Sequence, residues 1–363
     1  MHRVVNGTRR QLRRPVAPAS SGPIGYYVHH HGAGHGAHAR ALADVVGNRL
    51  VGLGSGSAPA GWNRPWVQLA RDDSPAPSGD PTRGGAWHWA PGGHDGFRAR
   101  TRSLAQWIGD HEPSVVVADV SAEVVVLAAL LGVPTAMVLL HGRRTDRAHR
   151  LALDTADVVV APWPAEHAEP WQDPWKGKTR HLGLMSCYDL LPPPDLTATP
   201  PQRVLVVGGS DGLCRPDIER AAAATPEWSW DVVGDIAPPG GHAPSPVRCH
   251  GRVEDLWPLL ASASVVVSAA GAATVADIAA ARRPAVLIPR PRPFDEQQAL
   301  AGHLAGAAPV VVCEDWPAPD RWPVLLRDAV RLDGQRWAAR HDRSAASRFA
   351  AALAEVARPG VGP

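Results

Sequence analysis

Cysteine is scarce and scattered. The 363 residues hold four, Cys187, Cys214, Cys249 and Cys313, with no C-x-x-C pair among them. That excludes a disulfide scaffold and a cysteine-rich zinc module, and it suits a reducing cytosol. Acid is missing from residues 1–22, which carry five arginines, so a chain of net charge +2 leaves −3 for everything after the leader. A body of that sign is not built to grip nucleic acid. The leader has no apolar run behind it, so residues 1–22 read as a disordered basic leader and not as a signal peptide. Long apolar runs are missing as well. The longest, Val124 to Leu140, falls short of a membrane span and is cut by Gly132 and Pro134. It predicts a helix ending at Leu131, a Gly-Val-Pro turn and a buried strand over Thr135–Leu140. Three signatures of chemistry are also absent: the G-x-x-x-x-G-K of P-loop ATPases, the H-E-x-x-H of zinc hydrolases, and any D-x-D.

What is present is an alternation of strand-like and helix-like runs, the signature of parallel α/β sheets. The length suits two domains. Strands are expected at Ile24–Val28, Val115–Ala118, Thr135–Leu140 and Val158–Ala161, then at Arg203–Val207, Trp230–Val233, Val265–Ser268, Ala285–Pro289 and Val310–Val312. Most are short, β-branched and continuous, as in strands covered on both faces. The proline-rich stretch from Leu191 to Pro201 can continue neither element and marks the boundary. The predicted organisation is a leader at 1–22, a first domain at 23–191, a linker at 192–202, a second domain at 203–333, and a helix and tail at 334–363. Within the first domain, residues 54–95 are rich in Gly, Pro and Trp and look like a long excursion, a kind of loop more often functional than filler. The tail from Gln335 to Ala357 reads as one amphipathic helix with Trp337, Ala338, Phe349, Leu353 and Val356 on its apolar side. Two such domains would leave a cleft between their strand C-termini, where α/β sheets bind ligands.

The residues at those strand ends carry the chemistry. After the first strand runs His29-His-His-Gly-Ala-Gly-His-Gly-Ala-His-Ala-Arg40, a glycine-rich loop that enters a helix. Its glycines fit the loose dinucleotide pattern, but residues 50–57 offer no acid to hold a ribose, so a dehydrogenase is set aside. Five histidines between 29 and 38 invite a metal. The plainer reading is that His29, His30 and His31 finish a strand, alternate in facing and share no ligand geometry, with no carboxylate inside the run. No metal site is expected there. His35, between glycines at the strand-to-helix corner, is either a general base for an acceptor hydroxyl or a helix N-cap. Asp119, at the end of Val115–Asp119, either orients that imidazole or caps the next helix.

In the second domain, Gly208, Gly209 and Ser210 follow the first strand. Ser268-Ala-Ala-Gly271-Ala272-Ala273-Thr274-Val-Ala-Asp277 then runs from a strand through small residues into a helix, where phosphate oxygens can approach backbone N–H groups. Beyond Ala285–Pro289 come Asp295, Glu296, Gln297 and Gln298, polar groups able to bind a sugar or ribose. Three such ends in one domain favour a nucleotide-diphosphate ligand.

Together with Arg252-Val253-Glu-Asp-Leu256 and Pro284–Pro289, these motifs resemble the C-terminal donor domain of GT-B glycosyltransferases. The match is closest to the family 28 type that includes the peptidoglycan N-acetylglucosaminyltransferase. The likeness covers most of residues 200–330, and in the first half it is carried mainly by the glycine–histidine loop; the whole chain also resembles compact actinobacterial glycosyltransferases. It implies a GT-B fold, two doubly wound Rossmann-like domains facing across a cleft. It implies donor contacts from Gly209, Ser210, Gly271, Ala272, Ala273 and Thr274 to phosphate, and from the Val253 backbone to the base. Asp277 would hold the ribose in place of the usual Glu, and Glu296, Gln297 and Gln298 would lie at the donor sugar. His35 would be the base and Asp119 its orienting acid. The family's arginine near the end of the first domain is replaced here by Cys187, with Arg180 or Arg290 as substitutes, and Ala273 stands where relatives have glycine.

The expected function is an inverting, metal-independent glycosyltransferase that moves a sugar from a UDP-type donor to a hydroxyl acceptor. No cofactor is expected, the nucleotide sugar being a co-substrate. The alternatives are a nucleotide-sugar hydrolase and a non-catalytic nucleotide-sugar-binding protein. The acceptor, whether small molecule, glycan or lipid-linked, stays open. A cytoplasmic protein is expected, in peripheral contact with the inner membrane face if the acceptor is a lipid. Trp62, Trp66, Trp87 and Trp89 in the excursion are either an acceptor wall or loop anchors.

Overall fold

The computed structural model describes residues 22–195, 202–208, 215–235 and 247–357. The leader through residue 21, Gly209, Ser210 and most of the proline-rich linker lie outside the described residues. Seven strands form the first sheet: β1 (Ile24–Val28), β2 (Leu50–Gly54), β3 (Trp66–Gln68), β4 (Val115–Asp119), β5 (Thr135–Val138), β6 (Val158–Ala161) and β7 (Thr179–His181). Their order is β3-β2-β1-β4-β5-β6-β7 and every pair is parallel. Helices α1 (Gly34–Val46), α2 (Asp95–His111), α3 (Ala122–Leu130) and α4 (Arg147–Thr155) cover its faces. The second sheet holds β8 (Arg203–Val207), β9 (Ser229–Val233), β10 (Val247–Gly251), β11 (Val265–Ser268), β12 (Ala285–Leu287) and β13 (Val310–Val312) in the order β10-β9-β8-β11-β12-β13, again all parallel. Its helices are α5 (Arg215–Ala223), α6 (Trp257–Ser262), α7 (Ala272–Ala280), α8 (Glu296–Leu304) and α9 (Trp322–Val330).

Valine runs explain the sheets. Every residue of β4, β6 and β11 is buried, the environment in which β-branched side chains pack best and continuous apolar strands replace alternating ones. In both sheets the strand order reverses beside the first strand, between β1 and β4 and between β8 and β11. At such a switch point adjacent loops diverge and leave a crevice. Two Rossmann-like domains face each other as expected, with the glycine–histidine loop and the start of α7 in contact across the divide: a Cβ on Gly34 would lie 3.4 Å from the Ala273 methyl.

The structure adds to the expected strands and redraws the tail. β2, β3, β7 and β10 were not among them. β3 and β7 are three-residue edge strands with no fully buried residue, β2 is glycine-rich, and β10 mixes Arg248, Cys249 and His250 into its run, so none reads as a buried apolar strand. The excursion therefore contains an edge strand, β3. Trp66 lies in the space Gly52 leaves, where a Cβ would come within 2.3 Å of its ring, and Trp62 packs edge-on to Trp66 at 5.7 Å. These two tryptophans are anchors. The tail is not one helix. A 3-10 turn over Gly334–Ala339 ends at Arg340, Arg343 takes a left-handed φ of 63°, and α10 (Ala345–Val356) starts afresh. Trp337 belongs to the core of the second domain, whereas Phe349 and Leu353 belong to that of the first. The chain thus returns to its first domain. No helix among the described residues is long and apolar enough to cross a membrane.

Candidate active site

Asp119 closes β4 and is fully buried. It does not cap α3, whose N-cap is Ser121. Val120 between them takes a φ of 60°, a conformation a β-branched residue seldom adopts, and the chain turns there. The carboxylate meets three side chains. Tyr26 on β1 donates its hydroxyl to Oδ2 at 2.9 Å, His38 on α1 places Nδ1 3.3 Å from the same oxygen, and His35 on α1 places Nδ1 2.9 Å from Oδ1. Positions 35 and 38 are three apart and share a helix face. The His35 contact is that of an ion pair whose N–H is not aimed within hydrogen-bond geometry. Burial pushes the Asp119 carboxyl up, but the two histidines outweigh it and hold the group well below the usual carboxylate range. Burial and the neighbouring carboxylate push the Tyr26 phenol well above its ordinary value, which keeps it a donor.

His35 is the second residue of α1 and not its N-cap, which is Ala33. Burial opposes its charged form, but the Asp119 charge outweighs burial, Glu296 adds to it, and the net shift is upward. An ionised carboxylate only accepts, so the nitrogen that faces Asp119, Nδ1, carries the proton and the Nε2 lone pair is left for chemistry. The side chain keeps 12% of its surface open. Of the two readings of each residue, the geometry joins His35 to Asp119.

The second domain supplies the opposite wall. Gly271 is the N-cap of α7 and offers no side-chain cap, so the first N–H groups, at Ala272, Ala273 and Thr274, are unsatisfied donors at the positive end of the helix. Val253 is half-buried against the core, and its backbone makes no hydrogen bond within the described residues. Glu296 reaches across the cleft to Arg144, 2.9 Å from its guanidinium. Gly142 comes so close that a Cβ would lie 2.0 Å from the Phe294 carbonyl oxygen. Phe294 and Asp295 both take left-handed φ values, 64° and 54°.

Some expected donor contacts look different in place. Asp277 is buried, and its Oδ1 accepts from the Ser186 hydroxyl at 2.6 Å; burial pushes its carboxyl up to about 7. Gln297 turns inward and accepts from the Arg290 N–H at 2.9 Å, whereas Gln298 is exposed. Cys187 sits beside Asp277 with its thiol pushed up by burial. Of the two substitutes for the family arginine, Arg180 is paired with Glu355 on the outer face. The Arg290 guanidinium has no ion-pair or hydrogen-bond partner among the described residues. Tyr26, His38 and Arg144 were not foreseen: a tyrosine inside an apolar strand reads as core, and a cross-domain ion pair leaves no local signal.

The histidine run departs from expectation. β1 ends at Val28, so His29, His30 and His31 lie beyond the strand and do not finish it. One ligand-type atom from each of His30 and His31 comes together with one from Asp73 within 4.8 Å, and His88, Asp146 and His149 form a second such group. The carboxylate missing from the run comes from the excursion, 42 residues beyond His31.

Residues 253–311 match the family model of the glycosyltransferase family 28 C-terminal domain. The fold is that of GT-B glycosyltransferases, and the second domain is similar to the C-terminal domain of the family 28 type. Among its relatives is the UDP-N-acetylglucosamine–N-acetylmuramyl-(pentapeptide) pyrophosphoryl-undecaprenol N-acetylglucosamine transferase of Bordetella petrii, 28% identical over 202 residues, which are 55% of this chain and 52% of that protein. The chain spans about half the length of the curated relatives it matches. In fold it is similar to the glycotransferase of kitacinnamycin (TM-score 0.65, 16% identity, 91% of this chain and 97% of that one). It is likewise similar to MurG of Acinetobacter baumannii (TM-score 0.61, 16% identity, 92% and 99%).

Proposed function

We propose that the chain transfers a sugar from a nucleoside-diphosphate donor, UDP-linked, to a hydroxyl acceptor with inversion at the anomeric carbon. The observation that carries this reading is the His35–Asp119 pair, set at one switch point and facing the uncapped start of α7. His35 Nε2 takes the acceptor's hydroxyl proton while that oxygen attacks the anomeric carbon. Asp119 keeps the imidazole in its Nδ1–H form and balances the charge it gains. The bond to the diphosphate breaks, and the negative charge that develops is met by the α7 N–H groups and by Arg290. The absence of a D-x-D sequence agrees with a reaction that needs no metal. The UDP preference is supported by the donor named in the relatives, and the Val253 backbone, which makes no hydrogen bond among the described residues, is suited to a base edge. The lipid-linked acceptor in those names makes a membrane-bound acceptor the first class to screen, reached from the cytoplasmic face.

Calorimetric titration with UDP, dTDP and GDP tests the donor half. UDP should bind, and His35→Ala should keep that binding while losing turnover in an acceptor screen. Donor cleavage without acceptor would turn the reading to a hydrolase. No binding of any nucleotide would remove the transferase.

A further inference from the structure

The His30 side chain is buried without a hydrogen bond. Its side chain is 3% exposed, yet neither ring nitrogen makes a hydrogen bond, where buried polar atoms nearly always find one. What surrounds the ring is a set of donors to a cation. Nε2 lies 3.3 Å from Asp73 Oδ2 and 3.6 Å from Asp72 Oδ1, an oxygen that also lacks a hydrogen-bond partner. His31 Nε2 lies 3.6 Å from the same Asp73 oxygen, on a side chain 64% exposed. A tetrahedral zinc ion with bonds of ~2.0–2.1 Å sets its ligand atoms ~3.3 Å apart. The two histidine–carboxylate separations are therefore those of tetrahedron edges to within a few tenths of an ångström.

We propose that His30, His31 and Asp73 bind one divalent transition-metal ion of the zinc class, with the fourth position left to water or to Asp72. Two imidazoles and a carboxylate are borderline donors that suit Zn²⁺, Co²⁺ or Ni²⁺ and not Mg²⁺ or Ca²⁺. The ion would enter from the His31 side, which solvent reaches. It lies beside the proposed chemistry and not in it: the His29 ring stacks on His30 at 5.1 Å and reaches His35 at 5.6 Å. Binding would tie the excursion that carries Asp73 to the turn that leads into α1. The inference does not rest on glycosyl transfer. Arg71 is the competitor, since its guanidinium holds both Asp73 oxygens at 2.9 and 2.6 Å. The second group needs no ion, because Asp146 already bonds His88 at 2.9 Å and His149 at 2.6 Å.

The test uses the full chain without an affinity tag, stripped by a chelator and titrated with Zn²⁺ alone against a chromophoric competitor. One equivalent should bind, and Co²⁺ in its place should give the intense visible bands of a tetrahedral site. His31→Ala and Asp73→Asn, an exposed and an isosteric change, should each weaken Zn²⁺ binding at least tenfold with an unchanged far-UV spectrum. Arg71→Ala should tighten binding, and His149→Ala should leave it as it was. The proposal is overturned if no saturable binding occurs, if His31→Ala and Asp73→Asn bind like the parent, or if His149→Ala abolishes binding.

Discussion

The φ of 60° at Val120 costs roughly 1–3 kcal/mol, and it is placed where it turns the chain between Asp119 and α3. Asp119 is then free to serve Tyr26, His38 and His35 together. Replacing it with Asn keeps the shape and removes the charge. Because His35 must be neutral to accept a proton, activity falls on the acid side as pH drops through its pKa. The Asp119 charge raises that pKa above the ordinary ~6.5, so Asp119→Asn should move the acid limb of kcat/KM to lower pH. The same change should cost roughly 10²–10⁴-fold in rate. A rate loss with an unmoved limb would assign Asp119 a merely structural role. Asp277 gives the opposite sign. Its carboxyl sits at about 7 in the folded chain against ~3.9 unfolded. The stability it lends is complete below pH ~4 and is lost as pH rises to about 7. Asp277→Asn, which keeps an acceptor for Ser186, should therefore raise stability most at pH 8 and least at pH 4, by on the order of a few kcal/mol at the alkaline end, with the Tm rising in the same order. Thermal scans across that range decide it.

Among the elements, α10 has the farthest reach. Phe349 is wholly buried and meets the Tyr26 ring edge-on at 6.4 Å, and Tyr26 is the residue that holds Asp119. A helix from the far side of the sequence thus supports the base. Phe349→Ala should cost about 3–5 kcal/mol in denaturant unfolding, with the loss falling on the first domain. Such support is hard to read from sequence. The apolar positions on either side of 340–344 read as one helix, whereas the two pieces pack on different domains. The β-branched strands β1, β4, β6, β8 and β11 were legible because a run buried on both faces has no polar interruption. The edge strands β3, β7 and β10 were not, because much of their surface answers to solvent. His35 and Asp119 were legible because Asp119 ends a strand and His35 starts the helix that follows one, where cleft residues stand in this class of fold. The meeting of His30 and His31 with Asp73 was not, since it depends on where a 40-residue excursion folds back.

At the scale of the whole molecule, the described residues cross between the domains twice, once ahead of the proline-rich segment, where Leu184 and Tyr188 already pack in the second-domain core, and once through residues 340–344. Arg144 with Glu296, and Ser186 with Asp277, add polar contacts across the same seam. The second crossing has a consequence for how the protein is made. Synthesis delivers β1 to β7 first, but Leu42, Tyr26 and Met185 stay without Phe349 and Leu353 until residue 356 has left the ribosome. Domains that fold as they emerge normally finish in order. Here the first domain to begin is the last to be completed, and for the length of the second domain's translation it carries an open apolar face that a chaperone, or the nascent chain itself, must cover.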